Sequence, residues 1–204
     1  MYLTKVGLKF GRMLKETKRD RFFSKTLVLI YKKGFKATTM RDIAQNLNFE
    51  VANVYNYIDS KQSFLEQSLF GIQQEFLNAM DAIEDSEFHA TEKLEHLIRS
   101  YVQITSKRPY EQALLVNEWR NLNEPKLQEF VKHRENYEQK LEGILIEGMR
   151  TGQFKEMDSQ MATQIILATL RWSYKQFLDQ ERTTNPLAMQ KQLIDFIQNG
   201  MSLK

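Results

Sequence analysis

Three observations predict an all-α fold for this 204-residue chain. Its apolar residues recur at i, i+3, i+4 and i+7 through windows of a dozen residues or more, the period of a helix with one buried face. Only eight Gly and three Pro punctuate it, which allows long uninterrupted elements. The alternating Val- and Thr-rich runs that mark strands are missing. The length is ample for a sizeable core. Composition excludes several functional classes. With no Cys, the chain has no disulfide framework, thiolate metal site or Cys nucleophile. No apolar run approaches the ~20 residues of a membrane span, and Lys5, Lys9 and Arg12 break up the apolar residues of the N-terminus, which lacks a signal-peptide core. No membrane partner is expected, and a cytoplasmic location is. The formal charge of +3 conceals an asymmetry. Residues 1–70 carry 13 Lys/Arg against 6 Asp/Glu, a net of +7, and the remainder carries a net of −4. The basic excess lies where a polyanion would be met.

In chain order, residues 1–16 read as a basic tail. A first helix is expected from about Thr17 to Lys33, with Phe23, Leu27 and Ile30 at i, i+4 and i+7. Lys32 and Lys33 complement its dipole, and Gly34-Phe35 forms its stop. This helix is expected to be structural. Next come two short helices around a tight turn. In the first, Ile43, Ala44 and Leu47 share a face, and Thr39 can accept from an orphan backbone N–H as the N-cap. Asn48 tolerates the left-handed backbone that a reversal needs. The second runs from about Glu50 to Asn56. Val54 and Ile58 point inward, leaving Ala52, Asn53, Tyr55 and Asn56 outward. Asp59-Ser60 caps a long helix towards Asp81 or beyond, striped by Phe64, Leu65, Leu69, Ile72, Phe76 and Met80.

After a polar connection at residues 85–89, a helix to about Lys107 turns Leu94, Leu97, Ile98, Tyr101, Val102 and Thr105 inward. Pro109 interrupts the chain, and a helix through Ala113, Leu114 and Trp119 ends near Asn121. Pro125 opens another long helix, closed by Gly152. Asp158-Ser159 begins a helix to about Asp179 that is apolar on more than one face, so it must be buried on two sides. Asn185-Pro186 caps the last helix, with Leu187, Ile194, Ile197 and Met201 as its stripe. The expectation is about nine helices in three parts: a tail at 1–16, a helix-turn-helix domain at 17–62, and a second helical domain at 63–204.

An exposed short helix carrying Asn, Tyr and a small Ala on a buried partner helix has the build of a recognition element. Asn pairs with an adenine edge, Tyr and Lys reach phosphates, and a small residue lets the backbone approach the groove. The surrounding string is more specific. Gly34-Phe35, Thr38-Thr39, Ile43-Ala44 and the run Val54-Tyr55-Asn56-Tyr57-Ile58-Asp59-Ser60-Lys61 together resemble the DNA-binding region of the tetracycline-repressor (TetR) family of bacterial regulators, over about the first third of the chain. Asn48 stands where the family usually has a turn Gly, Ile58 where it has Phe, and Glu50 where Ser often caps the recognition helix. The acid suits the helix dipole but is repelled by phosphate. The resemblance implies that Arg41 contacts bases. With Val51, Ala52, Asn53 and Asn56 it is expected to face base edges, while Thr39, Tyr55, Tyr57 and Lys61 hold phosphates. The resemblance also implies that the helical domain at 63–204 is a ligand-binding and dimerisation domain, with a homodimer through the last two long helices, a palindromic double-stranded DNA operator, and a repressor released by a small-molecule effector.

Nothing in the sequence points to catalysis or a cofactor. His89, His96 and His133 form no metal-ligand spacing, and there is no G-x-G-x-x-G or P-loop. Neither metal nor catalytic residue is assigned. Phe76, Met80, Tyr101, Trp119, Tyr137 and Trp172 sit on helices able to converge on a cavity for an apolar or aromatic effector. Asn117, Glu118, Arg120 and Arg171 are the polar residues able to fix it. With no Gly-rich anion cradle, a phosphorylated effector is not expected. The alternative is a helical binding or enzymatic domain with an incidental helix-turn-helix, which leaves Tyr55, Tyr57 and Lys61 without a purpose.

Overall fold

The computed structural model describes residues 17–179 and 183–201, and the tail expected at 1–16 lies outside them. The described residues form α1 (Lys18–Lys33), α2 (Met40–Leu47), α3 (Val51–Val54), α4 (Lys61–Glu84), α5 (Ala90–Lys107), α6 (Pro109–Asn117), a 3₁₀ turn at Trp119–Asn121, α7 (Lys126–Arg150), α8 (Ser159–Trp172), α9 (Tyr174–Leu178) and α10 (Pro186–Met201), with no strand among them. Counting α8 and α9 as one bent helix gives nine.

Local chemistry explains most boundaries. Thr17, Thr39 and Ser60 each accept from the backbone N–H three residues on, and Asp20, Asp42 and Ser63 return the bond to the cap's own N–H. Helices α1, α2 and α4 thus start on reciprocal caps, which satisfy donors that helix geometry orphans. Gly34 (φ 86°) ends α1, its N–H donating to the Ile30 carbonyl. Asn48 is left-handed, at φ 55° and ψ 44°, as the turn requires.

Four features depart from the periodicity. On α1, Phe22 rather than Phe23 is the fully buried ring. The recognition segment is α-helical for only four residues. Beyond Val54 the bonds tighten to Asn56 N–H with the Asn53 carbonyl and Tyr57 N–H with the Val54 carbonyl, a 3₁₀ pattern that continues the outward face to Tyr57. At Ser173 the expected single helix bends. Ser173 N–H bonds the Leu170 carbonyl at 3.0 Å, and Tyr174 turns inward, 5% exposed, with its hydroxyl accepting from Asn117 at 3.1 Å. Lastly, α8 is not buried on two sides within one chain. Met161, Ile165 and Trp172 are 62%, 59% and 49% exposed.

Two apolar cores result. One joins α1–α3 and the start of α4 through Phe22, Ile30, Ile43, Val54 and Phe64, and takes in Leu114, Leu122 and Phe130 from the α6–α7 region. The other fills the space among α4, α5, α7, α8 and α10 around Ile72, Phe76, Met80, Leu97, Tyr101, Leu145 and Leu170. The helix-turn-helix therefore rests on α6, against which α1 packs.

Candidate nucleic-acid interface and small-molecule cavity

The exposed face of α2–α3 gathers most of the sequence-predicted DNA residues. Thr39, Arg41, Val51, Ala52, Asn53, Tyr55 and Asn56 are all exposed. The capping bonds of Thr39 and Asp42 fix the entry of α2, and Lys33 adds an ion pair to Asp42 at 2.7 Å. Lys33, then Thr39, hold the Asp42 carboxyl well below the usual carboxylate range. α2 in turn supports α3 through Ile43, Ala44 and Leu47. The side chains of Arg41, Asn53 and Asn56 make no hydrogen bond or ion pair to other described residues, so their donors and acceptors face solvent.

Three predicted phosphate contacts are placed differently. The Thr39 hydroxyl is engaged on both sides by Asp42, donating to its carboxylate at 2.7 Å and accepting its N–H at 3.1 Å. Tyr57 is half-buried, stacked on Phe22 with centroids 4.6 Å apart and planes 7° apart. Lys61 points into the protein. Its ammonium donates to the carbonyls of Phe35 and Thr38, both at 2.7 Å, with Lys36 at 3.4 Å, and lies 4.4 Å from the Phe35 ring centroid. The physical reason is local: the α1–α2 connection turns its carbonyls towards the start of α4, and an ammonium with three donors satisfies them. Burial pushes the Lys61 pKa down, opposed by Asp42 and Glu118.

Sequence reasoning missed another set. Lys18, Arg21 and Lys25 on α1 line a groove of about 400 Å³ together with Phe49, Asn53, Asn56 and Tyr57. Their spacing of i, i+3 and i+7 was the available signal, a single basic face opposite the apolar one. They place positive charge beside the recognition segment, where a phosphate contact adds affinity without sequence information.

The second site is a half-open cavity of about 270 Å³ between α4, α5, α6, α7 and α8, and the 3₁₀ turn. Phe76, Tyr101, Trp119 and Tyr137 line it as expected, with Arg120 and Arg171. Met80 and Trp172 do not. Met80 is 1% exposed in the core further along α4, and Trp172 faces outward. Asn117 instead binds Tyr174. Glu118 accepts the Phe35 N–H at 3.2 Å and the Asn121 amide at 2.7 Å. Gln73, His133 and Arg134 complete the polar lining, unmarked in the sequence because each is a lone polar residue on an amphipathic helix. Gln73 donates to the Phe130 carbonyl at 3.0 Å, and its oxygen lies 3.2 Å from His133 Nδ1. Tyr101 accepts from Gln112 at 2.6 Å. Burial raises the pKa of both Tyr101 and Tyr137, so both phenols stay protonated in any ordinary buffer. No group of three metal-ligating side chains and no helix long and apolar enough to cross a membrane occurs among the described residues.

Comparison with known proteins follows the same division. Residues 87–201 match the family described as "Tetracyclin repressor-like, C-terminal domain", and residues 23–67 match "Bacterial regulatory proteins, tetR family". The HTH-type transcriptional repressor KstR2 of Mycolicibacterium smegmatis is 25% identical over 162 residues, covering 76% of this chain and 79% of that protein. Among solved structures, the ketosteroid transcriptional regulator KstR2 of Mycobacterium tuberculosis superposes with a TM-score of 0.85 at 17% identity, covering 94% of this chain and 98% of that one. AibR, solved with isovaleryl coenzyme A and operator DNA, gives 0.73 at 18% identity, covering 91% and 98%.

Proposed function

The chain belongs to the tetracycline-repressor family of bacterial transcriptional regulators, and from that premise we propose that it is a dimeric repressor that a small effector releases from a palindromic operator. On this reading residues 17–62 bind DNA, residues 63–204 bind effector and partner, and the protein works in the cytoplasm without enzymatic activity. Arg41, Val51, Ala52, Asn53 and Asn56 meet base edges. Tyr55, Lys18, Arg21 and Lys25 meet phosphates. The second copy packs on α8 and α10, whose exposed Met161, Ile165, Trp172, Leu187 and Phe196 supply apolar surface for an isologous contact.

One observation carries the effector reading. The segment Glu118–Asn121 belongs to both sites. Trp119 and Arg120 wall the cavity, while Glu118 holds the Phe35 N–H and the Asn121 carbonyl accepts from Gln62 at 3.2 Å. α4 provides a second link, with Gln73, Phe76 and Leu77 at the cavity and Lys61 on the same 34–38 connection that Glu118 grips. A ligand that prefers one arrangement of these walls shifts the recognition segments, and a coupling of ~1–3 kcal/mol changes DNA affinity roughly 5–150-fold. The isovaleryl coenzyme A bound by AibR and the ketosteroid regulation named for KstR2 support a small organic effector.

The test is selection of bound fragments from the source genome, followed by titration at two salt concentrations. A palindromic site bound by two chains is expected, with Asn53→Ala altering sequence preference and Arg21→Ala weakening all sequences alike, lowering the salt slope by about one. Equal affinity for every fragment in wild type would overturn the reading.

A further inference from the structure

The apolar and aromatic lining of the cavity suggests a neutral effector, but its charges do not balance. Arg120, Arg134 and Arg171 all line it, with His133 beside them. Among the described residues the one carboxylate within 4 Å of any of these arginines is Glu138, and it is already committed. Its Oε1 accepts from Arg171 at 2.7 Å, and its Oε2 accepts from the Gln164 amide at 3.1 Å. Arg134 Nε stands 3.9 Å from Glu138, beyond hydrogen-bond reach, and is buried with no acceptor among the described residues. Arg120, at the exposed rim, has no carboxylate within 4 Å among them. Both guanidinium groups lie on the Trp119 indole, 4.3 Å and 4.5 Å from its centroid.

A buried donor without an acceptor is costly, and more so on a cation. Two guanidinium groups held against one indole also repel each other, and an anion between or beside them removes both penalties. Stacking on the ring leaves each guanidinium edge free, and that planar fork matches a carboxylate. Most of the lining lies inside α-helices, where backbone N–H groups are already bonded and cannot cradle a phosphate. Beyond the arginines, Phe76, Tyr101, Tyr137 and Leu167 present an apolar floor.

We propose that the effector is an amphiphilic carboxylate: its acid group is read by Arg134 and Arg120 beside Trp119, and its aromatic or aliphatic body lies against Phe76, Tyr101 and Tyr137. This rests on the effector reading above and sharpens it. It also revises the expectation of an apolar or aromatic effector, because the head must be negative.

The experiment pairs each acid with its uncharged amide: 4-phenylbutyrate with 4-phenylbutanamide, and decanoate with decanamide. Binding is measured by calorimetry, and operator affinity by fluorescence anisotropy. At least one acid is expected to bind about tenfold or more tightly than its amide. Arg134→Gln and Arg120→Gln are expected to cut that preference to about twofold while leaving amide binding unchanged, which also verifies that the variants fold. The coenzyme A thioester of 4-phenylbutyrate, whose carboxylate is masked, is expected to lose the preference. Amides binding as well as acids, no binding by either acid, or a preference that survives both substitutions would each overturn the proposal. An acid that binds with the predicted preference but leaves operator affinity unchanged upholds the carboxylate site and refutes the effector reading. A neutral compound that occupies the cavity and releases DNA does the reverse.

Discussion

Lys61→Met separates two roles that the sequence and the structure assign to one residue. Met keeps the unbranched stem but has neither charge nor donors. In the structure, Lys61 makes two short bonds to the Phe35 and Thr38 carbonyls and a longer one to Lys36. Hydrogen bonds from a charged donor contribute about 1.5–3 kcal/mol each, so the two short ones set a ceiling of ~6 kcal/mol. Lys61 as a residue is only half-buried, so water can replace part of what is lost, which brings the expected cost to about 2–3 kcal/mol. For a chain of this size each kcal/mol moves the unfolding midpoint by about 2–4 °C, giving a fall of roughly 5–10 °C. The assays are thermal unfolding at fixed protein concentration and operator titration across salt concentrations. If Lys61 is an internal clamp, the midpoint falls and the salt slope of DNA binding is unchanged in the variant that remains folded. If it is a phosphate contact, the slope drops by about one and the midpoint barely moves. That second result would refute the reasoning.

A Cβ at Gly148 in α7 would sit 2.1 Å from Cδ2 of the buried Phe154 ring, so Gly148→Ala is expected to lose about 1–3 kcal/mol by overpacking. Gly143→Ala in the same helix meets nothing within 4 Å and should gain up to ~1 kcal/mol from helix propensity; equal shifts for the two in urea unfolding would contradict the packing described. The Asp20 and Asp42 carboxyls both titrate below their ordinary value. Their stabilising contribution is therefore complete above about pH 4 and lost as pH falls from there. Asp42→Asn should start less stable at pH 7 and lose less between pH 4 and pH 2, as followed by circular dichroism; parallel curves would count against the caps. Ile165→Glu places a charge on the exposed face of α8. Because Ile165 is 59% exposed, the single chain should lose no more than ~0.5 kcal/mol, while sedimentation shifts from dimer to monomer. A dimer of unchanged strength would place the interface elsewhere.

The sequence alone determined whatever depends on near neighbours along the chain. The caps at Thr39 and Ser60, the left-handed turn at Asn48 and the stops at Gly34 and Gly152 are set by single residues within one turn of the helix ends, so they are legible as spelling. The inward stripes of α2 and α4 follow from a fixed 3.6-residue period, and the outward face of Asn53, Tyr55 and Asn56 is their complement. The tertiary structure decided what depends on partners far apart in sequence. A lysine at a helix start reads the same whether it faces phosphate or the carbonyls of residues 35–38, and only the folded loop puts those carbonyls within 2.7 Å. Trp172 and Trp119 both read as aromatic residues of amphipathic segments, yet Trp172 shares the exposed face of α8 with Met161 and Ile165 while the 3₁₀ turn places Trp119 at the cavity. The cationic character of that cavity was hidden for the same reason. Arg120, Arg134 and Arg171 belong to three separate elements, and only folding shows that Glu138 lies beside Arg134 and Arg171 while no carboxylate among the described residues comes within 4 Å of Arg120. Local chemistry fixes a helix and its faces, whereas the charge balance of a cavity is a sum over residues that only packing makes neighbours.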